Sequence, residues 1–306
     1  MKMISIIIAN KDDRRVEKTL KKLIEIPKPE KTEIIVVDAS EGRLDDIKKK
    51  FSKVRWIDFK VKNRKKRTFV AQINLASKLA KGNILAYIDA DCIPTKNWLI
   101  GLIRPIREEK ENIVAGNVKS SNKKSLHSQV WKKMDKERYI KECPTMNMAI
   151  NSKILNKIGS RDENFNYGSD VDFSWRARDL GYKIRYVPTA VMYHDWGNIK
   201  SNIKRAYFYG QAIVRLYKKH PSKLTDLFNY KEYLFSVYSV LFFIYVLSLL
   251  PMTFVFKYYP LFLLVPIVKN IKNEPIKKLV FDFFHGFGVI KELIFPSNYK
   301  TTKKTQ

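Results

Sequence analysis

A chain of 306 residues with 45% hydrophobic and 13% aromatic content has material for one large domain with an appendage, or for two modest domains, and its composition excludes intrinsic disorder. Lys and Arg number 59 against 30 Asp and Glu, a formal charge of +29, which calls for an anionic partner: nucleic acid, an acidic membrane surface or a phosphorylated small molecule. Two cysteines, Cys92 and Cys143, exclude a disulfide framework or a C-x-x-C metal site and point to a reducing compartment.

The first ten residues hold a short apolar core followed at once by Lys11, Asp12, Asp13 and Arg14. That core is too short for a signal peptide and reads as a first strand over Ile4–Ile8. The spacing of Val16, Leu20, Leu23 and Ile24 predicts a helix over Arg14–Glu25. Glu33–Val37 and Val54–Ile57 read as strands, and Leu44–Phe51 and Phe69–Ala80 as helices, the latter closed by Gly82. Ile84–Ile88 is a further buried strand. Apolar strands alternating with helices predict an α/β fold with a mostly parallel sheet covered on both faces, and ligands beyond the carboxyl ends of the strands. Charge and hydropathy change near residue 230, which divides the chain into residues 1–228 and 229–306. The run Tyr233–Phe256 is uncharged, Tyr258–Val268 follows Lys257, and Lys269–Lys278 is rich in lysine.

Acids close two of the strands. Asp38 ends Glu33–Asp38, and Asp89-Ala90-Asp91 follows Ile84–Ile88. In extended backbone, residues two apart point to one side, so Asp89 and Asp91 are expected to converge. Clustered carboxylates are costly without a cation between them, and Mg²⁺ or Mn²⁺, hard ions with oxygen ligands, suit such a pair. Further on, Ser169 reads as an N-cap, with Asp170 and Asp172 in the first turn of a helix that Gly181 closes.

The ordered set of Ser5-Ile-Ile-Ile, Asp38-Ala-Ser40, Asn74 ahead of Ala80-Lys-Gly82, Asp89-Ala-Asp91, Thr145-Met-Asn147, Ile158-Gly159, Asp162-Glu163, Tyr167-Gly-Ser-Asp170-Val-Asp172, Arg176 and Gly181-Tyr182 resembles family 2 glycosyltransferases of the GT-A fold, over residues 3–215. The resemblance implies a GT-A nucleotide-diphospho-sugar transferase domain followed by a hydrophobic helical C-terminal region. It implies that Asp38 contacts the nucleotide base, Asp89 lies near the ribose, and Asp91 binds the metal that holds the donor diphosphate. It makes Asp170 the catalytic base and places His194 near the diphosphate or metal. Asp172, Asn147 and Trp175 fall on the acceptor side, and Asn10 and Arg67 are further donor contacts. The chain departs from the family pattern in carrying Ala9-Asn10-Lys11-Asp12 where a Pro-Thr turn is usual, Ser169 where Glu precedes the base, and Ala39 after Asp38. The Q-x-x-R-W motif of processive synthases is absent, with Tyr207-Phe-Tyr-Gly210-Gln211 in that region. Single-sugar addition from a UDP- or GDP-sugar, with Mn²⁺ or Mg²⁺ as cofactor, is the implied reaction.

The basic run over residues 43–67 reads mainly as a solvated loop, with Arg67 in reach of a phosphate. Residues 200–223 carry seven Lys or Arg and no acid just ahead of the apolar tail, where anionic lipid headgroups would meet them. Tyr233–Phe256 has the length of a membrane span, Pro251 marks a possible hairpin, and Leu279–Phe295 reads as an interfacial amphipathic helix. These features predict attachment to the cell membrane, with the catalytic domain on the cytoplasmic face and a saccharide or lipid-linked acceptor. Two alternatives fit less of the chain. A nucleotidyltransferase acting on sugar phosphates lacks its Gly-rich phosphate loop, and a basic nucleic-acid-binding protein does not account for the ordered carboxylates, so no nucleic acid is expected.

Overall fold

The computed structural model describes residues 3–29, 31–61, 68–121, 135–225, 231–269 and 275–297. They form two compact units, Met1–Asp195 and Trp196–Gln306. The division comes earlier than the hydropathy change near 228, because the basic helix at Ile199–Lys219 packs with the tail helices.

The first unit is built on β1 (Ile4–Asn10), β2 (Thr32–Asp38), β3 (Arg55–Asp58), β4 (Ile84–Tyr87), β5 (Cys92–Pro94), β6 (Ile113–Ser120), β7 (Arg138–Ile140), β8 (Met148–Asn151) and β9 (Ile184–His194). Their order is β3-β2-β1-β4-β8-β6-β9-β5, with β7 beside β9. Helices α1 (Val16–Glu25), α2 (Asp45–Lys50), α3 (Phe69–Leu79), α4 (Trp98–Arg107), α5 (Leu155–Ile158) and α6 (Ser169–Asp179) belong to this unit. Ile6, Ile7 and Ile8 are all fully buried, which requires cover on both faces of β1. One core cluster runs from Ile7, Ile35 and Ile73 through Tyr87 to Phe173 and Tyr186.

The half of the sheet made by β3, β2, β1 and β4 is parallel, as expected. The other half is mixed: β8 runs antiparallel to β4 and β6, β6 is parallel to β9, and β5 and β7 are antiparallel to β9. The expectation of a mostly parallel sheet is therefore corrected. Parallel neighbours need a crossover of about a dozen residues or more. After β4 the chain turns straight into the three-residue β5, too soon for such a crossover, and β5 pairs antiparallel with β9, while β8 enters antiparallel between β4 and β6.

One irregularity positions a predicted site residue. Pairing of β6 with β9 jumps from Gly116↔Val187 to Asn117↔Val191, around Pro188, which has no amide hydrogen to donate. The Asn147 side chain repairs the gap. Its Nδ2 donates to the carbonyls of Asn117 and Ala190, both at 3.1 Å, and its Oδ1 accepts the Trp98 indole N–H at 2.8 Å. Residue 116 must be glycine here, since a Cβ would stand 2.4 Å from Asn147 Oδ1 and 2.5 Å from the Ala190 carbonyl. Asn147, expected on the acceptor side, is fully buried and joins α4, β6 and β9.

The second unit holds α7 (Ile199–Lys219), α8 (Lys231–Val255), α9 (Leu264–Lys269) and α10 (Pro275–Ile294). Helix α10 packs against α7 and α8, closely enough that a Cβ on Gly288 would lie 2.0 Å from the Tyr207 carbonyl. Its polar residues face inward: Asp282 pairs with Lys278, His285 Nδ1 lies 2.8 Å from Ser239 Oγ, and Glu292 accepts from Arg215 at 3.0 Å. The expected interfacial helix over Leu279–Phe295 is thus reversed, with its polar side chains buried and Phe287, Leu293 and Ile294 exposed. Helix α8 continues through Pro251 instead of breaking there. Among the described residues, no helix is long and apolar enough to cross a membrane, so the expected span over Tyr233–Phe256 is not met.

Asn147→Ala strands the Trp98 indole and two buried carbonyls together. It is expected to destabilise the first unit by about 2–4 kcal/mol, measured as a fall in the denaturant midpoint. An unchanged midpoint contradicts the role given to this side chain.

Candidate active site

Parallel register brings the carboxyl ends of β1 and β2 level, with Asn10 opposite Asp38 and Asp38 opposite Asp58. Both Asn10 and Asp38 are buried. Asp38 Oδ1 accepts the Ser40 amide at 3.1 Å and Oδ2 lies 3.0 Å from Lys48 Nζ. Lys48 also pairs with Asp58. Asn10 Nδ2 donates to the Asp13 carbonyl at 3.3 Å, while its Oδ1 is buried with no hydrogen-bond partner among the described residues. Gln72 of α3 secures this corner, donating from Nε2 to the carbonyls of Asn10 at 2.6 Å and Val37 at 2.7 Å. Sequence reasoning missed Gln72, although a polar residue on the apolar face of α3, beside Ile73, was a usable signal. Arg67 lies outside the described residues.

Asp89 and Asp91 do not sit in extended backbone. The Cys92 amide donates to the Asp89 carbonyl at 3.1 Å, so the two acids occupy a turn between β4 and β5. Cys92 pairs in register with His194, and that register sets the local geometry. His194 Nε2 lies 3.3 Å from Asp91 Oδ2, and Arg15 Nη2 lies 3.2 Å from the same oxygen. Burial pushes the Asp91 carboxyl up. The hydrogen bond and charge of His194 and the charge of Arg15 outweigh it and hold the group below the ordinary carboxylate range. Burial first, then the charges of Asp89 and Asp91, push the Cys92 thiol well above its usual value, so the thiol stays protonated. Ligand atoms of Asp91, Cys92 and His194 lie within 4.8 Å of one another. A carboxylate oxygen beside an imidazole nitrogen suits a hard-to-borderline divalent ion such as Mn²⁺. The structure brings Asp91 and His194 together; Asp89 is half-buried, outside the Asp91–Cys92–His194 cluster. Arg15 and Cys92 had no motif to mark them.

The third group of acids divides. Helix α6 starts at Ser169, after Gly168 at φ +81°, so Gly168 holds the cap position expected of Ser169. Asp170 is half-buried and its Oδ1 accepts the Val171 amide at 3.0 Å. Burial raises its carboxyl above the usual range, against the opposing pull of the Val171 and Asp170 amides and the Arg161 guanidinium. Arg161 is itself buried between the rings of Tyr87 and Phe173, 4.6 Å from each centroid, and ties α6 to β4. Asp172 is corrected from the acceptor side to the interior. It is fully buried, 2.9 Å from Arg176 Nη2, and Arg176 in turn donates to the Ser160 carbonyl at 2.9 Å. Trp175 is corrected likewise: it is fully buried, and its indole N–H donates to Glu142 at 2.7 Å. With Asn147, all three expected acceptor contacts are structural. An inward-facing residue beside the reacting acid carries the same motif letters as an outward-facing one.

The first unit has a cation-suited pair, a buried polar corner at parallel strand ends, and a separate carboxylate of raised proton affinity. Comparison with known proteins gives the family and the fold of the chain. The chain is 26% identical over 159 residues to the pre-mycofactocin glycosyltransferase of Mycobacterium tuberculosis (strain ATCC 25618 / H37Rv), covering 47% of this chain and 34% of that protein. It is 27% identical over 217 residues to the probable glycosyltransferase YdaM of Bacillus subtilis (strain 168), covering 63% and 50%. It therefore spans about a third to a half of the length of these relatives. Among solved structures it is similar to the mannosyltransferase PcManGT from Pyrobaculum calidifontis in complex with GDP-Man and Mn²⁺. The TM-score is 0.68 at 14% identity, over 95% of this chain and 86% of that one. That likeness shows a GT-A fold with a mixed sheet. Residues 4–168, more than half of the chain, match the family model described as Glycosyl transferase family 2, and the chain belongs to that family.

Proposed function

We propose that the protein is a divalent-cation-dependent, inverting glycosyltransferase. It takes one sugar from a UDP- or GDP-activated donor to a hydroxyl of a lipid-linked saccharide or envelope glycan. The observation that carries this reading is the separation of two carboxylates by environment. Asp91 is held ionised between His194 and Arg15, while burial raises the proton affinity of Asp170. The first suits a metal ligand and the second a general base.

The residues divide the reaction as follows. Asn10, Asp38 and Asp89, at the carboxyl edge of β1, β2 and β4, bind and orient the nucleoside. Asp91 and His194 are the ligands for Mn²⁺ or Mg²⁺, which when bound supplies positive charge against the donor diphosphate. Asp170 accepts the proton of the acceptor hydroxyl as its oxygen attacks the anomeric carbon from the face opposite the diphosphate. The bond from that carbon to the phosphate oxygen breaks, its electron pair leaves with the nucleoside diphosphate, and the configuration inverts.

The second unit supports a seat on the membrane surface. Phe254 is 86% exposed, Val255 81% and Ile276 74%, while ion pairs and hydrogen bonds lie inside. An apolar exterior of this extent marks a contact surface. Apart from Arg215, which is paired inside with Glu292, the basic residues over 200–223 supply charge for anionic headgroups, each worth about 1 kcal/mol near the surface. Such a seat, on the cytoplasmic face, accords with a lipid-linked acceptor.

Asp170→Asn is expected to lower turnover by about 10²–10⁴-fold, with donor binding retained in a calorimetric titration; wild-type turnover removes Asp170 as the base. Because burial raises its carboxyl, the base is lost as pH falls through a midpoint above the ordinary value of about 4. The acid limb of kcat/KM is expected there, and a limb at or below that value contradicts the assignment. Asp91→Asn is expected to weaken cation-dependent nucleotide binding by at least the roughly 10–100-fold that loss of a ligand-orienting partner costs. Binding that is indifferent to chelator and to this substitution contradicts the metal role. Vesicles containing phosphatidylglycerol are expected to carry the full chain upward in a flotation gradient, and Phe254→Ser with Val255→Ser to reduce that. Protein left at the bottom contradicts the membrane seat.

A further inference from the structure

Arg15 stands just before the first turn of α1, where the helix dipole disfavours a positive charge. It is held there by acids. Its backbone amide and Nε both donate to Asp13 Oδ1 at 2.9 Å, and its Nη2 donates to Asp13 Oδ2 at 2.6 Å. The same Nη2 lies 3.2 Å from Asp91 Oδ2, the oxygen that also faces His194 Nε2 at 3.3 Å. Asp195 adds its negative charge to the surroundings of this guanidinium. Two carboxylates thus contact one guanidinium, and that guanidinium lies on the oxygen best placed to hold a divalent ion. The Arg15 side chain is 51% exposed and Asp91 only 15%, so the arginine reaches Asp91 from the solvent side and is free to leave it. A guanidinium and a divalent ion on one carboxylate oxygen repel each other. A guanidinium beside a diphosphate, by contrast, makes paired charge-assisted hydrogen bonds.

We propose that Arg15 is a further donor-binding residue, one that neutralises Asp91 when the donor is absent and turns to the donor diphosphate when Asp91 takes its divalent ion. Asp13 is the tether. Its bidentate hold keeps the guanidinium at the mouth of the site in both positions, and only the contact with Asp91 is exchanged. The proposal rests on the glycosyltransferase reading above. It adds a positioning role for a residue outside the D-x-D turn. It also gives the site a charge balance before and after loading, because a carboxylate loses one cation as it gains another and the arginine gains an anion.

The test uses the full chain as wild type, Arg15→Ala and Arg15→Lys, with two binding measurements. Mn²⁺ alone is titrated by the electron paramagnetic resonance signal of the free ion. GDP and UDP are titrated calorimetrically at saturating Mn²⁺. Arg15→Ala is expected to bind Mn²⁺ alone about threefold more tightly, since its competitor is gone, and to bind the nucleotide that wild type prefers about tenfold more weakly, the scale of a lost charge-assisted hydrogen bond. Arg15→Lys keeps the charge without the fork and is expected to fall between in nucleotide affinity. Arg15→Ala with weaker Mn²⁺ binding, or with nucleotide affinity within twofold of wild type, overturns the proposal. A wild-type chain that binds Mn²⁺ but neither nucleotide overturns the donor-site reading itself, and the proposal with it. Because Arg15 is half exposed, its substitutions leave the core intact, and an unchanged melting temperature checks that.

Discussion

Asp91 is a carboxylate with 15% of its side-chain surface exposed, and it is charged because Arg15 and His194 each stand close to one of its oxygens. Removing a carboxylate from water is costly unless cations or hydrogen bonds replace the lost solvation. Here the replacements come from two places. Arg15 is delivered by the loop after β1. His194 is delivered by β9, whose end is fixed by the antiparallel pairing of Cys92 with His194. That pairing requires the chain to reverse in the turn at Asp89–Cys92. The same reversal sets β5 antiparallel to β9, one of the antiparallel pairs that make this half of the sheet mixed. The fold-back of β5 onto β9 is thus what brings the acid against the histidine.

Four aspartates near the strand ends and the start of α6 then behave in four ways. Asp38 is buried and paired with Lys48. Asp91 is held ionised and open to a cation. Asp170 is half-buried with its proton affinity raised by desolvation. Asp172 is sealed inside by Arg176. On the proposed reading, one residue type would serve nucleotide positioning, metal ligation, base catalysis and structural anchoring, because desolvation and neighbouring charge differ at each position.

Much of this was legible in the sequence. The strands at Ile4–Ile8, Glu33–Val37 and Ile84–Ile88 lie within a residue or two of β1, β2 and β4 at each end, because continuous apolar runs bounded by charge leave little freedom. The ordered acids singled out Asp38, Asp91 and Asp170, and the family resemblance singled out His194, which the structure sets beside Asp91. What stayed hidden depended on which way a side chain faces. Asn147 and Trp175 sit in the right motif, yet the register break at Gly116/Asn117 and the partner Glu142 draw them inward. Strands of three or four residues, such as β5, β7 and β8, carry no periodicity to detect. Arg15 looks like any surface cation at a helix start until Asp91 is placed beside it. In the tail, hydropathy located the apolar segments, but the burial of Asp282, His285 and Glu292 follows only from close helix packing.

The charge of +29 takes on a more specific meaning against this background. The first unit concentrates acids at its strand ends and matches a cation and a phosphate-bearing donor. The second unit pairs its charges inside and presents apolar side chains outward, with a basic helix in the same unit. Both features suit an enzyme that takes a soluble activated sugar to an acceptor held at a lipid surface. The most direct measurement is release of nucleoside diphosphate from a panel of UDP- and GDP-sugars with Mn²⁺ or Mg²⁺, in the presence of membrane lipid extract. Cation-dependent release of UDP or GDP, with the sugar recovered on an acceptor in inverted configuration, is the predicted result. Release of pyrophosphate instead, or no turnover of any sugar nucleotide by the folded full chain, would contradict the account.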